Sequence, residues 1–181
     1  MKAVKGEESI LPSEGVIDWL GTGAYFWEGD YLRALEWAKE KCARGDYEEP
    51  FVIGAAIDLG NCLDLMVREN LELAKIAYDS LVKVFEKSGE PLPQNSKAPK
   101  DASPDLVLRR LDCAVINHLH EIVENGDGTM PANPFDTVRG LFQEGKPIYK
   151  DGGLLDKTHS QIAVRNAACI KGVFLPPELI V

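Results

Sequence analysis

Four aromatic side chains, Trp19, Tyr25, Phe26 and Trp27, fall within nine residues on the block Trp19-Leu20-Gly21-Thr22-Gly23-Ala24-Tyr25-Phe26-Trp27-Glu28. Gly21 and Gly23 permit backbone conformations closed to other residues and the close approach of a ligand. An aromatic ring held beside such a turn makes a stacking platform for a flat ring. The plain alternative is a buried aromatic cluster that covers a turn. A second candidate is Arg139, in Asp136-Thr137-Val138-Arg139-Gly140, which reads as a loop arginine able to meet a pyrophosphate or simply to finish a turn. Of the three histidines, His118 and His120 are two apart on a helical pattern and so do not share a face, which makes them a poor metal pair. Asp64, Glu69 and Glu72 read as a solvated helix entry. No P-loop, GxGxxG, GxSxG or HExxH pattern occurs.

The 181 residues set the scale: one domain with a real core. Apolar residues make up 45% and charged residues 27%, which rules out wholesale disorder. The longest uncharged apolar run, Phe51 to Ile57, is far short of the roughly 20 residues a spanning helix needs. The opening Met-Lys-Ala-Val-Lys-Gly-Glu-Glu-Ser carries charges where a signal peptide needs an apolar stretch. The expectation is a cytoplasmic protein with no membrane partner. Cys42, Cys62, Cys113 and Cys169 form no CxxC or CxxH, so reduced thiols are expected and no metal site. The net charge of −9 argues against a general nucleic-acid or anionic-membrane binder. Residues 136–172 nevertheless hold six Lys/Arg against four Asp/Glu, a local +2 that suits a small anionic ligand or reflects ordinary loop charge.

The elements that must position these residues can be read in outline. Ala24 to Trp27 is a short strand. Asp30 caps a helix to about Arg44 with Leu32, Leu35 and Ala38 on one face. Phe51 to Leu59 is the best strand by pattern. Helical spacing runs from Asn70 to about Lys87 through Leu71, Ala74, Tyr78, Leu81 and Phe85. Ser88 to Ser103, with three prolines, is a surface loop, and Ser103-Pro104 is read as the cap of a helix to about Glu124. That helix carries Val107, Leu111, Ala114 or Val115, and Leu119 on one stripe. Ile162 to Arg165 and Cys169 to Leu175 are strands. With strands at both ends and helices in the middle, the pattern is α+β rather than alternating βαβ.

Gly-x-Gly-x-Tyr-Phe followed by a helix with small residues and an aromatic resembles the second motif of the PARP-like, diphtheria-toxin-type ADP-ribosyltransferases. Phe51 to Asn61 is similar to that family's next core strand. Lys157-Thr158-His159-Ser160-Gln161-Ile162-Ala163-Val164-Arg165-Asn166 sits where the family carries its third motif. The resemblance is closer still to a group of bacterial proteins that share the Asp-Trp-Leu-Gly-x-Gly-x-Tyr-Phe-Trp-Glu and Thr-His-x-Gln-Ile-x-Val-Arg-Asn blocks.

The resemblance implies an ADP-ribosyltransferase-like split antiparallel sheet over 1–181 with a helical insertion at about 70–125. It implies NAD as substrate, no metal, and mono-ADP-ribosyl transfer to a protein, nucleic-acid or small-molecule acceptor, in toxin–antitoxin or phage-defence biology. The alternative it leaves is a non-catalytic module on the same fold that binds a protein or nucleotide. A third reading, an RNA 2′-phosphotransferase-like enzyme, needs clustered cations that the acidic balance disfavours. Tyr25 matches the tyrosine that stacks on nicotinamide, so its ring should line the main pocket. Gly21, Gly23, Tyr25, Arg33 at the amide-binding serine position and Trp37 near the second stacking tyrosine make up the implied cofactor-binding set. Arg139 joins it on its residue type alone, as the loop arginine able to meet a pyrophosphate. His159 and Gln161 should share one strand face that looks into the cleft, with Gln161 in the place of the catalytic glutamate and Ser160 turned away. No histidine precedes Tyr25, and the first motif would lie ahead of Ile10-Leu11-Pro12, where the sequence begins. The first-motif strand is accordingly expected to be missing beside the third-motif strand, its place to be filled by another segment, by a partner strand or second copy, or by water.

Overall fold

Residues 10–99, 105–126, 128, 130, 131 and 133–177 are described by a computed structural model. Alternating side chains build the sheet. Strands β1 (Ala24–Trp27), β2 (Gly54–Ile57), β3 (Cys62–Asp64), β4 (Thr137–Phe142), β5 (His159–Val164) and β6 (Ile170–Phe174) are joined by helices α1 (Tyr31–Ala43), α2 (Arg68–Ser88) and α3 (Arg110–Asn125). One sheet has the order β1-β5-β4-β3, and β2 and β6 form a second. Every pair is antiparallel except β3 with β4. The architecture is α+β with three helices and two sheets.

The pleat gives each sheet face its own core. Leu63, Val138 and Ala163, all fully buried, face α2 and α3 through Ala77, Leu81, Ile116 and Leu119. Ala24, Ile162 and Val164 point the other way and pack with Ile57, Cys169 and Ile170 toward the second sheet. The chain between β3 and β4 carries two helices, α2 starting at Arg68 and α3 ending at Asn125.

Several expectations shift. The Asp30 side chain does cap α1, accepting the Arg33 N–H at 2.9 Å, but α1 buries no residue and Leu32 is exposed. The strand read as Phe51–Leu59 contracts to Gly54–Ile57, where Gly54 lies under the Phe174 ring and a Cβ would collide with it. Ser103-Pro104 lies outside the described residues, and α3 begins only at Arg110. Asn95, from the preceding loop, caps it by accepting Leu111 N–H at 2.9 Å.

Two corrections concern the sheet. Asp136–Gly140 is not a loop: Arg139 sits mid-strand in β4. Gly140 interrupts the apolar pattern there because the Trp19 indole occupies the space of its missing side chain, with Cη2 2.6 Å from where a Cβ would be. The position expected to be open beside the third-motif strand is filled. β5 is paired on both sides, with β1 and with β4 of this same chain. Residues 1–9, expected to lack strand patterning, lie outside the described residues.

Candidate functional site

The Gly-x-Gly-x-Tyr block folds as a turn that closes on itself. Gly21 takes φ 78°, and its N–H bonds Asp18 carbonyl at 2.7 Å. The Tyr25 hydroxyl donates to the Gly21 carbonyl at 2.8 Å and accepts the Leu20 N–H at 2.9 Å. Its ring packs against the main core. Burial, reinforced by Asp18, pushes the phenol pKa far above its usual value, so it stays a neutral donor. Tyr25 therefore does not line the large groove described below, which corrects that expectation. Gly23 lets the turn approach β5, its absent Cβ lying 3.1 Å from the Val164 carbonyl. Asn117 of α3 anchors the turn by accepting Thr22 N–H at 2.9 Å.

Strand β5 shows the expected alternation, but the His159/Gln161 face does not look into the cleft: neither residue lines the large groove described below. Trp27 lies opposite Gln161 and Tyr25 opposite Ala163, so His159 and Gln161 share a face with Tyr25. A directed chain of hydrogen bonds runs along this face. His159 Nδ1 donates to the Lys157 carbonyl at 2.7 Å, which leaves Nε2 to accept from the Gln161 amide at 3.0 Å. Gln161 Oε1 accepts the Trp19 indole N–H at 2.6 Å. Burial pushes the His159 pKa down, opposed by the bond to Lys157 and aided by Arg33, so the ring is neutral. Aromatic neighbours wall it: Phe142 stacks at 5.5 Å, Trp27 sits at 6.3 Å, and Trp37 tilts on Trp27 at 5.3 Å. Trp37 is partly exposed, with Lys41 Nζ over its ring at 5.0 Å.

Both arginines of the cofactor-binding set hold carboxylates, and Arg33 Nη1 is left buried without a hydrogen-bond partner. Arg33 Nη2 meets Glu144 at 2.6 Å, both side chains only 11% exposed. Arg139 clasps Glu28 through Nε at 2.8 Å and Nη2 at 2.7 Å, and reaches Asp64 through Nη1 at 3.0 Å. Ser160, on the face away from Gln161, donates to the same Glu28 oxygen at 2.8 Å. Burial would raise the Glu28 pKa, but the bonds from Arg139 and Ser160 outweigh it and hold the carboxyl below its usual range. Glu28 is the residue missed by the motif reading. Its signal was its place one step past Trp27, where the antiparallel register sets it against Ser160, its N–H on that carbonyl at 3.0 Å.

The histidine pair of α3 does not converge. His118 bonds Ser80 at 3.0 Å, while His120 is buried edge-on to Phe135. No group of three metal-ligating side chains occurs among the described residues. Nor is any described helix long and apolar enough to cross a membrane.

The concavity lies elsewhere, between α2, the start of α3 and β4. It encloses about 390 Å³, with Trp19, Leu71, Ala74, Tyr78 and Val115 among its walls and Asp112 as its charged lining residue. Met66, Leu71 and Leu141 are exposed there. This is a size and polarity suited to a small organic ligand. No family model, curated protein or solved structure matches the chain.

Proposed function

We propose that this chain is a non-transferring module of the ADP-ribosyltransferase-like kind, which binds a partner molecule and does not cleave NAD. The observation that carries this is Tyr25. The ring that the resemblance assigns to nicotinamide packs against the core, and its hydroxyl is held by Leu20 and Gly21. Gln161 supports the same reading, because both ends of its side chain are engaged within the fold, Oε1 accepting from Trp19 and Nε2 bonding His159. Arg33 and Arg139 already hold carboxylates in place of a pyrophosphate. The test is nicotinamide release from NAD in the presence of the chain. Release at the rate of buffer alone is expected; protein-dependent release that disappears in Gln161→Ala would overturn the reading.

One observation favours a second reading, slow NAD-dependent mono-ADP-ribosyl transfer. The β1–β5 register gathers Tyr25, His159 and Gln161 on one sheet face, as the resemblance requires. In that reading Gln161 lets go of Trp19 and its carbonyl accepts a ribose hydroxyl. An amide cannot act as a base, so the acceptor must already be nucleophilic. The same assay with a thiol or amine acceptor present separates the two.

A further inference from the structure

We propose that Asn125 is a site of spontaneous covalent modification, its carboxamide converting to aspartate and isoaspartate through a succinimide closed by the Gly126 nitrogen. α3 ends on this pair: Asn125 is its last residue and Gly126 its left-handed cap, with φ 66°. The other asparagines are protected. Asn61, Asn70, Asn95, Asn117 and Asn166 each hold their carboxamides in hydrogen bonds to the fold. Asn133 precedes Pro134, which has no N–H to become a nucleophile. The Asn125 side chain has no hydrogen-bond partner among the described residues, and the residue is exposed. A Cβ on Gly126 would meet nothing within 4 Å, so its nitrogen sits in open space.

The reaction needs only the chain and water. The Gly126 nitrogen gives its proton to solvent and attacks the Asn125 Cγ. A C–N bond forms, the Cγ–Nδ2 bond breaks, and ammonia leaves with a proton taken from water. Water then opens the five-membered ring at either carbonyl, which leaves a carboxylate on an ordinary or a β-linked backbone. The last turn must open first, because the Gly126 N–H is bonded to the Ile122 carbonyl at 3.1 Å. Glu124, Asn125 and Gly126 are all exposed, so this opening uncovers no buried residue, and helix ends open at the least cost. The product is badly placed. The last turn of α3 has no basic residue, so a new anion there opposes the helix dipole. Glu121, four residues earlier, would face it as a like charge. Conversion therefore loosens the end of α3 where Ile122 and Val123 enter the core.

Peptide mapping by mass spectrometry of the full chain, held at pH 8, tests this. Asn125 is expected to convert at least about tenfold faster than any other asparagine, with both isoaspartate and aspartate formed. A parallel incubation in urea separates sequence from fold. Conversion in the native chain should stay within about tenfold of that in urea, because only a helix end has to open. Asn125→Gln, whose ring would need six members, should show no conversion at this position and keep the fold in a thermal melt. Asn125→Asp, which carries the charge of the product, should melt below Asn125→Gln. Asn125 kept intact in the native chain while the unfolded chain converts it overturns the proposal. So does conversion no faster than at the other asparagines, or aspartate without isoaspartate, the mark of direct hydrolysis. Equal melting of the Asp and Gln variants overturns the loosening of α3.

Discussion

The Tyr25 hydroxyl bridges the backbone of its own motif, donating to Gly21 at 2.8 Å while accepting from Leu20 at 2.9 Å. A residue of the type used to stack a flat ligand thus serves here as the latch of a turn. Tyr25→Phe keeps the ring and removes the latch, leaving one N–H and one C=O short of a partner. The cost expected is about 1–3 kcal/mol, a fall in Tm of roughly 2–10 °C for a chain of this size. A melt unchanged within 1 °C would show that the bridge carries no stability.

Gly140→Ala should destabilise through Trp19. The added methyl would stand 2.6 Å from the Trp19 ring, which must move and with it the bond to Gln161. Overpacking of this kind costs about 1–3 kcal/mol. Urea unfolding measures the cost, and a shift in tryptophan emission reports the displaced indole.

Arg33 and Glu144 form the most enclosed ion pair among the described residues, and removing one partner strands the other. Glu144→Ala should cost about 3–5 kcal/mol. Asp79→Ala, which breaks the exposed pair with Lys75, should cost under about 1 kcal/mol. Comparable losses in urea midpoint for the two variants would contradict this ranking.

Acid should destabilise the fold before its carboxylates titrate. Burial, helped by Arg165, lowers the His120 pKa to about 3, and burial lowers that of His159 too. The unfolded histidine takes a proton near pH 6.5, so below that pH the unfolded state binds more protons. Stability is full above about pH 6.5 and declines as the pH falls toward the folded values. Urea midpoints at pH 7, 6 and 5 should fall in order, and His120→Leu should flatten that slope. A slope unchanged in the variant would assign the effect to other groups.

The elements with local causes were legible in the sequence. The four residues of β1 sit between a glycine turn and a capping aspartate, and apolar spacing marked α2 to within two residues at its start. β4 was not legible, because Arg139 and Gly140 break its pattern for tertiary reasons: one crosses to Glu28 and Asp64, the other makes room for Trp19. The α3 start was misplaced because its cap comes from Asn95, outside the helix. Gly-x-Gly-x-Tyr reads alike whether its tyrosine stacks on a ligand or latches a turn, and only the fold separates the two. Leu71, Ala74, Tyr78, Leu111 and Val115 were legible as core stripes, but helical spacing says nothing of a gap left between two stripes.

The central place of β5 has a consequence for the order of assembly. It bridges β1 and β4, and Gln161 bonds Trp19 from 142 residues away. On the ribosome, β1 and β4 have no common neighbour until β5 has emerged, whereas the α2–α3 pair is complete long before. Closing loops of that length is slow compared with pairing adjacent helices. The nascent chain therefore carries a helical hairpin with its sheet-facing apolar side bare between the end of α3 at Asn125 and the completion of β5 at Val164, the interval in which aggregation competes with folding.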